Sequence, residues 1–267
     1  MFWEVNGTKG GKVYILGTLD LGNNDMYPLH EEINAAFDRS NYLILQLGKG
    51  VENEVFKNEE MYVKGRFDSN DSLRKHIKSS TYRKLRVWLK EQKLSATAMD
   101  RFHPWVIGLT LSSLEMALWG HEKLLSLENY FYKKARRNSK GVYSLERISE
   151  AFLRLKEEDD NFQESLLQTF MDKRISSETQ AQERYVNYQE GNVSQLQTTL
   201  LEPYMKHPYI KENVLDEQNR VYANKIKLYR KNKRGRHYFL IINLENLLGD
   251  EGVLAQLKEA DIAVKRY

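Results

Sequence analysis

The sequence predicts an α/β fold, α+β in layout, with a small mixed central sheet built from N- and C-terminal strand–helix–strand units and a large, mainly helical middle. Three observations predict it. Residues 13–47 read as an apolar strand, an amphipathic helix and a second apolar strand, the size of one crossover between parallel strands. Residues 238–266 repeat that order. Between them apolar residues recur at helical spacing, and a mean hydropathy of -0.65 fits long solvated helices rather than thick buried sheet. The expected layout is a single domain over 1–267, with sheet units at 1–50 and 237–267 and a helical insertion over 70–235.

Met1-Phe2-Trp3-Glu4-Val5-Asn6-Gly7 reads as an opening strand followed by a turn. Alternating apolar residues make 13–16 a buried strand. Gly17 is expected to let the backbone turn closely, so that Thr18 and Asp20 emerge at the strand's carboxyl end, where α/β proteins keep their sites. Pro28 precedes a helix with Leu29, Ile33, Ala36 and Phe37 on one face, and 42–47 forms the second strand, bringing Gln46 to the level of Asp20. Helical spacing follows over 71–93 and 104–137, with Pro104 suited to a first helical turn. Residues 141–145 are too few for a helix and read as a strand, with Glu146 at its exit and a helix through Ile148, Phe152 and Leu155 beyond. Helices return over 161–201, broken near Gly191 and Asn192. Pro203 and Pro208 are expected to punctuate a loop before a helix over 213–231. The chain closes with a strand at 238–243, a turn to Gly249, a helix capped by Asp250 that carries Val253, Leu254 and Leu257, and a strand at 262–266.

Composition excludes several chemistries. The chain has no cysteine, so disulfides, thiolate nucleophiles and cysteine-held metals are out. The six histidines show no zincin spacing, and there is no nucleophile elbow, phosphate-binding loop or dinucleotide fingerprint. The N-terminus lacks the basic and apolar regions of a secretion signal, and the most apolar stretch, 105–119, is shorter than the roughly 20 residues that span a bilayer. A cytoplasmic protein with no transmembrane segment is expected. A net charge of +4 from 41 basic and 37 acidic residues does not announce a nucleic-acid partner. The densest basic run, Lys225, Lys227, Arg230, Lys231, Lys233, Arg234 and Arg236, is read first as a helix end plus an exposed turn, and only second as a site for nucleic acid or anionic lipid.

The stretches Tyr14-Ile15-Leu16-Gly17-Thr18-Leu19-Asp20-Leu21-Gly22, Tyr27-Pro28-Leu29, Leu43-Ile44-Leu45-Gln46-Leu47 and Leu247-Leu248-Gly249-Asp250-Glu251-Gly252-Val253-Leu254 closely resemble the TraB/GumN family, part of the Tiki-type metalloprotease group. The resemblance brackets the chain and is looser in the helical middle. It implies a divalent-metal hydrolase site for peptides, at the first corner, the end of the second strand, the exit of the mid-chain strand and the last corner.

This sequence departs from the pattern at the site itself. Where the resemblance implies histidine, glutamate and histidine, the chain has Asp20, Gln46 and Asn246. Glu146 keeps its type, and Gln218 stands where an arginine commonly precedes the position of Asn219. Loss of two imidazoles disfavours zinc, whereas carboxylates from Asp20 and Glu146 with amide oxygens from Gln46 and Asn246 suit magnesium, calcium or manganese better. Two readings stay open. In the first, the hydrolase site has degenerated, Gln46 and Asn246 form a hydrogen-bonded amide network, and the protein binds a peptide or small-molecule ligand with little or no catalysis. In the second, Asp20 and Glu146 still hold a hard cation for hydrolysis, Gln46 belongs to the catalytic set, and Thr18, Asn219 and Asn246 position the ligand. Asp20 and Glu146 equally suit turn and helix-start roles, and Thr18 and Asn219 suit caps.

Overall fold

The computed structural model describes residues 1–19, 22, 24–48, 63, 65–118, 125–147, 155, 158–173, 178–232 and 234–267. Six strands form one mixed sheet: β1 (Phe2–Asn6), β2 (Lys12–Thr18), β3 (Tyr42–Leu47), β4 (Gly141–Glu146), β5 (Tyr238–Asn243) and β6 (Val264–Arg266), in the order β4-β3-β5-β2-β1-β6. β4, β3, β5 and β2 run parallel, and β1 is antiparallel to both β2 and β6. The two strands of the N-terminal unit are therefore not neighbours. β5 inserts between β2 and β3, pairing Thr18 with Asn243 on one side and Leu45 with Ile241 on the other.

Alternation along the strands sends side chains to two faces. Val13, Ile15, Ile44, Leu145, Leu240 and Ile242 face one side. There they pack on α8 (Glu217–Arg230) through Tyr222, Ala223 and Ile226, and on α10 (Val253–Glu259) through Val253 and Leu257. Tyr14, Leu16, Leu43, Leu45, Phe239 and Ile241 face the other side, against α1 (Glu31–Arg39) and α4 (Leu127–Arg137) through Phe37 and Phe131. Phe37, Phe131 and Phe239 meet as one aromatic cluster with centroids 4.8–5.4 Å apart. Each such side chain contributes about 1.5–3 kcal/mol by leaving water.

The helical middle has its own cores. α2 (Ser79–Glu91), α3 (Pro104–Leu118) and α5 (Asp160–Asp172) share Leu85, Leu89, Ile107 and Leu167, while α5 and α7 (Val193–Met205) bury Phe162, Leu166 and Tyr204 beside Ile210 and Leu215. α6 (Glu178–Gln189) packs on the sheet instead: Tyr185 enters the core shared with α1 and α4, and the Tyr188 hydroxyl donates to Gly17 O at 2.7 Å. No helix among the described residues is long and apolar enough to cross a membrane.

Several local expectations need correction: the helix expected over 71–93 is a 3-10 turn at Leu73–Lys75 followed by α2 from Ser79, and Pro208 opens a short helix, Pro208–Ile210, rather than lying in a loop. Gly17 is not a turn residue: it lies within β2, where a Cβ would stand 2.4 Å from Leu244 Cδ2 and 3.1 Å from the Trp3 ring, so a larger residue would have to push the buried Leu244 side chain aside. Pro203 lies inside α7 rather than in a loop, close to its end, where the one hydrogen bond it removes matters least and its buried ring packs. The last helix has Gly252, not Asp250, at its N-cap, with no side-chain cap bond, and a short helix, α9 (Leu244–Leu247), occupies the first part of the expected turn. The helix over 213–231 begins earlier, as a π-helical stretch Lys211–Asp216 that runs straight into α8. The helix expected through Ile148 and Phe152 lies, except for Leu155, outside the described residues.

Candidate functional site

Parallel strands end together, so the carboxyl ends of β2, β3, β4 and β5 make one rim. Gln46 stands one residue before the end of β3, and Glu146 closes β4 beside Leu47. β5 ends at Asn243, and one turn of α9 then returns Asn246 to the same rim, buried at 1% exposure. Asn219 comes from α8 behind the rim, equally buried.

These groups form a directional chain. The Asn243 backbone N–H donates to Gln46 Oε1 at 2.7 Å, Gln46 Nε2 donates to Asn246 Oδ1 at 3.0 Å, Asn246 Nδ2 donates to Asn219 Oδ1 at 2.9 Å, and Asn219 Nδ2 donates to the Glu251 carbonyl at 3.0 Å. The orientation of every amide follows from the two ends. A backbone N–H can only donate and a carbonyl can only accept, so flipping any one amide would oppose donor to donor and acceptor to acceptor. Three amide side chains thus saturate one another across segments 200 and 27 positions apart.

Glu146 sits beside this chain rather than in it. Its Oε2 accepts from Gln218 Nε2 and from the Tyr222 hydroxyl, each at 3.2 Å, and the Lys225 ammonium caps the adjoining Leu145 carbonyl. Thr18, at 1% exposure, lies at the neighbouring strand end, and its Oγ1 has no hydrogen-bond partner among the described residues. Asp20 lies outside the described residues. The structure therefore joins Gln46, Asn246 and Asn219, sets Glu146 next to them through the consecutive α8 residues Gln218 and Asn219, and places Thr18 at the same rim.

Amide oxygens already committed to amide hydrogens are poor cation ligands, and among the described residues no group of three or more His, Asp and Glu converges as a metal site would. The described residues of this corner do not fit the divalent metal that the resemblance implies.

Sequence reasoning missed a second polar cluster behind the rim. Glu245 turns away from Asn246 and meets Lys173 Nζ at 2.9 Å and the Tyr204 hydroxyl at 3.1 Å, while Lys173 donates to Tyr204 at 2.6 Å. Burial works to lower the Lys173 pKa, but Glu245 and Tyr204 together outweigh it and raise it; burial, then Glu245, raises that of Tyr204. Nothing local signals this cluster, since its members lie 72 and 41 positions apart. Tyr222 did carry a signal: it stands four residues after Gln218, on the same face of α8.

An open cleft of about 560 Å³ adjoins the rim, between α7, the π-helical stretch and the loop of residues 248–252, with Asn219 in its wall. The basic run lies elsewhere and is partly engaged: Lys225 on the Leu145 carbonyl, Arg230 Nε on the Asn6 carbonyl at 2.9 Å, and Arg236 6.0 Å from the Tyr42 ring. Lys233 lies outside the described residues.

Comparison with known proteins gives three findings. The model of the TraB/PrgY/gumN family matches residues 1–266. An uncharacterized protein of Treponema pallidum (strain Nichols) is 27% identical over 139 residues, which covers 51% of this chain and 40% of that protein, less than half its length. No solved structure matches.

Proposed function

Because the chain belongs to the TraB/PrgY/gumN family, we propose that it is a divergent member whose metal-hydrolase site has degenerated, and that it binds a peptide or other ligand with little or no catalysis. The observation that carries this reading is the chain from Gln46 through Asn246 to Asn219. At positions where the resemblance implies metal ligands, neutral amides satisfy one another and need no ion to hold the corner together. Hydrolysis by a metal needs a cation that polarises the carbonyl and lowers the pKa of a bound water. Gln46 offers neither the charge nor the basicity of the glutamate it replaces.

The competing reading, hydrolysis supported by Asp20 and Glu146, makes the opposite forecast. Purified protein incubated with a panel of fluorogenic peptides is expected to show no cleavage stimulated by magnesium, calcium or manganese, and elemental analysis is expected to find far less than one equivalent of metal. Metal-dependent cleavage that disappears in both Asp20→Ala and Glu146→Ala would overturn the proposal.

A further inference from the structure

The cleft beside the rim has a chemistry of its own. Leu201, Met205, Leu215 and Leu248 give it apolar walls, and Met205, 65% exposed, stands on its lining as an adaptable apolar arm. Four carboxylates, Glu202, Asp216, Asp250 and Glu251, share the lining with one cation, Lys211; Glu202 is paired with Lys206 at 2.8 Å and Asp216 with Lys211, so Asp250 and Glu251 carry the excess of acid. This local excess of acid occurs in a chain whose bases outnumber its acids by 41 to 37. A cleft of about 560 Å³ is large enough to hold several residues of a peptide or a molecule of drug size.

The π-helical stretch decides which carboxylate matters. In an α-helix, residues five apart point about 140° away from each other. The wider π turn over Lys211–Asp216 brings residues 211 and 216 together instead, and Lys211 Nζ meets Asp216 Oδ2 at 2.7 Å. Asp216 is 17% exposed; its Oδ1 is buried and has no hydrogen-bond partner among the described residues, and its Oδ2 holds Lys211. The carboxylate can therefore take another charged donor only through Oδ2, in the place Lys211 occupies.

We propose that this cleft is a binding site for a peptide segment carrying an ammonium or guanidinium group, with Asp216 as the acceptor of that charge. The apolar walls take the neighbouring side chains, and the incoming cation displaces the flexible Lys211 arm from Asp216. Asn219 forms part of the cleft wall and is a member of the amide chain, so the bound segment lies directly against the rim. The inference rests on the ligand-binding reading above, yet the two fail separately. Metal-dependent cleavage would end the reading of the rim and leave charge selectivity in the cleft intact.

Calorimetric titration of the full chain with three synthetic octapeptides, leucine alternating with lysine, glutamine or glutamate, tests it. The lysine peptide is expected to bind at least about tenfold more tightly than the glutamate peptide, and Asp216→Asn to lose about tenfold of that affinity. Lys211→Ala, which removes the competing cation, is expected to tighten binding, an effect that a purely structural pair would not produce. Leu201→Trp, which fills the cleft, is expected to abolish binding. Should Asp216→Asn fail to fold by circular dichroism, the exposed pair Asp250→Asn and Glu251→Gln carries the same comparison, with a several-fold loss expected. Equal binding of the lysine and glutamate peptides, no binding of either, or unchanged affinity in the carboxylate variants overturns the proposal.

Discussion

Asn246 is the residue on which the rim depends, because it both accepts from Gln46 and donates to Asn219 at 1% exposure. Truncation leaves the Gln46 amide donor, partly buried, and the Asn219 amide acceptor, fully buried, without partners. Asn246→Ala is therefore expected to cost about 3 kcal/mol, read as a lowered midpoint of urea unfolding, and a cost under about 1 kcal/mol would show that the chain is not a stabilising unit. The residue types at this corner were legible in the sequence, since Gln46 and Asn246 stand at the ends of recognisable strand and turn patterns. Their partners were not. Hydrogen-bond direction depends on what lies opposite, and Asn219 arrives on a helix with no local relation to either residue.

Elements were more legible than contacts. Strands β3 and β5 run over 42–47 and 238–243, as their apolar patterns predict, because a run of residues buried on both faces is a local property. The π-helical stretch before α8 and the proline within α7 were hidden, because both rest on tertiary packing that outweighs backbone preference. The tie between the segment around residue 71 and α5 also depends on neighbours. His76 reaches Asp71 through Nε2 at 2.8 Å and Asp160, in the first turn of α5, through Nδ1 at 2.9 Å. Burial works to lower the His76 pKa, but the two carboxylates outweigh it and raise it. A raised histidine pKa contributes stability that is complete below the unfolded value of about 6.5 and is lost as pH rises through the folded value. The gap in melting temperature between the native chain and His76→Gln is expected to be wider at pH 6 than at pH 9; an equal gap at both would show that the ion pairs add nothing to this tie.

At the scale of the whole molecule, the helical middle and the sheet are joined by charge as well as by apolar packing. Lys173 from the end of α5 and Tyr204 from α7 close on Glu245, in the turn that carries Asn246, and about a quarter or less of the Lys173 and Glu245 side chains is exposed. Glu245→Gln leaves the Lys173 charge without its counterion and is expected to cost about 2 kcal/mol, below the range for a fully buried pair because solvent still reaches this one. A double-mutant cycle with Lys173→Met checks it, and a coupling energy near zero would mean that packing alone joins the two parts. By itself the sequence determined the α/β class, the six strand segments, most helices and the family, because all of these are written in short-range periodicity and contiguous motifs. Only the tertiary structure decided that β5 enters between β2 and β3, that Gln46, Asn246 and Asn219 satisfy one another, and that a π turn sets Lys211 against Asp216 in an acidic cleft. Each of those depends on which distant segment comes to lie alongside, and a local pattern of apolar and polar residues carries no record of that.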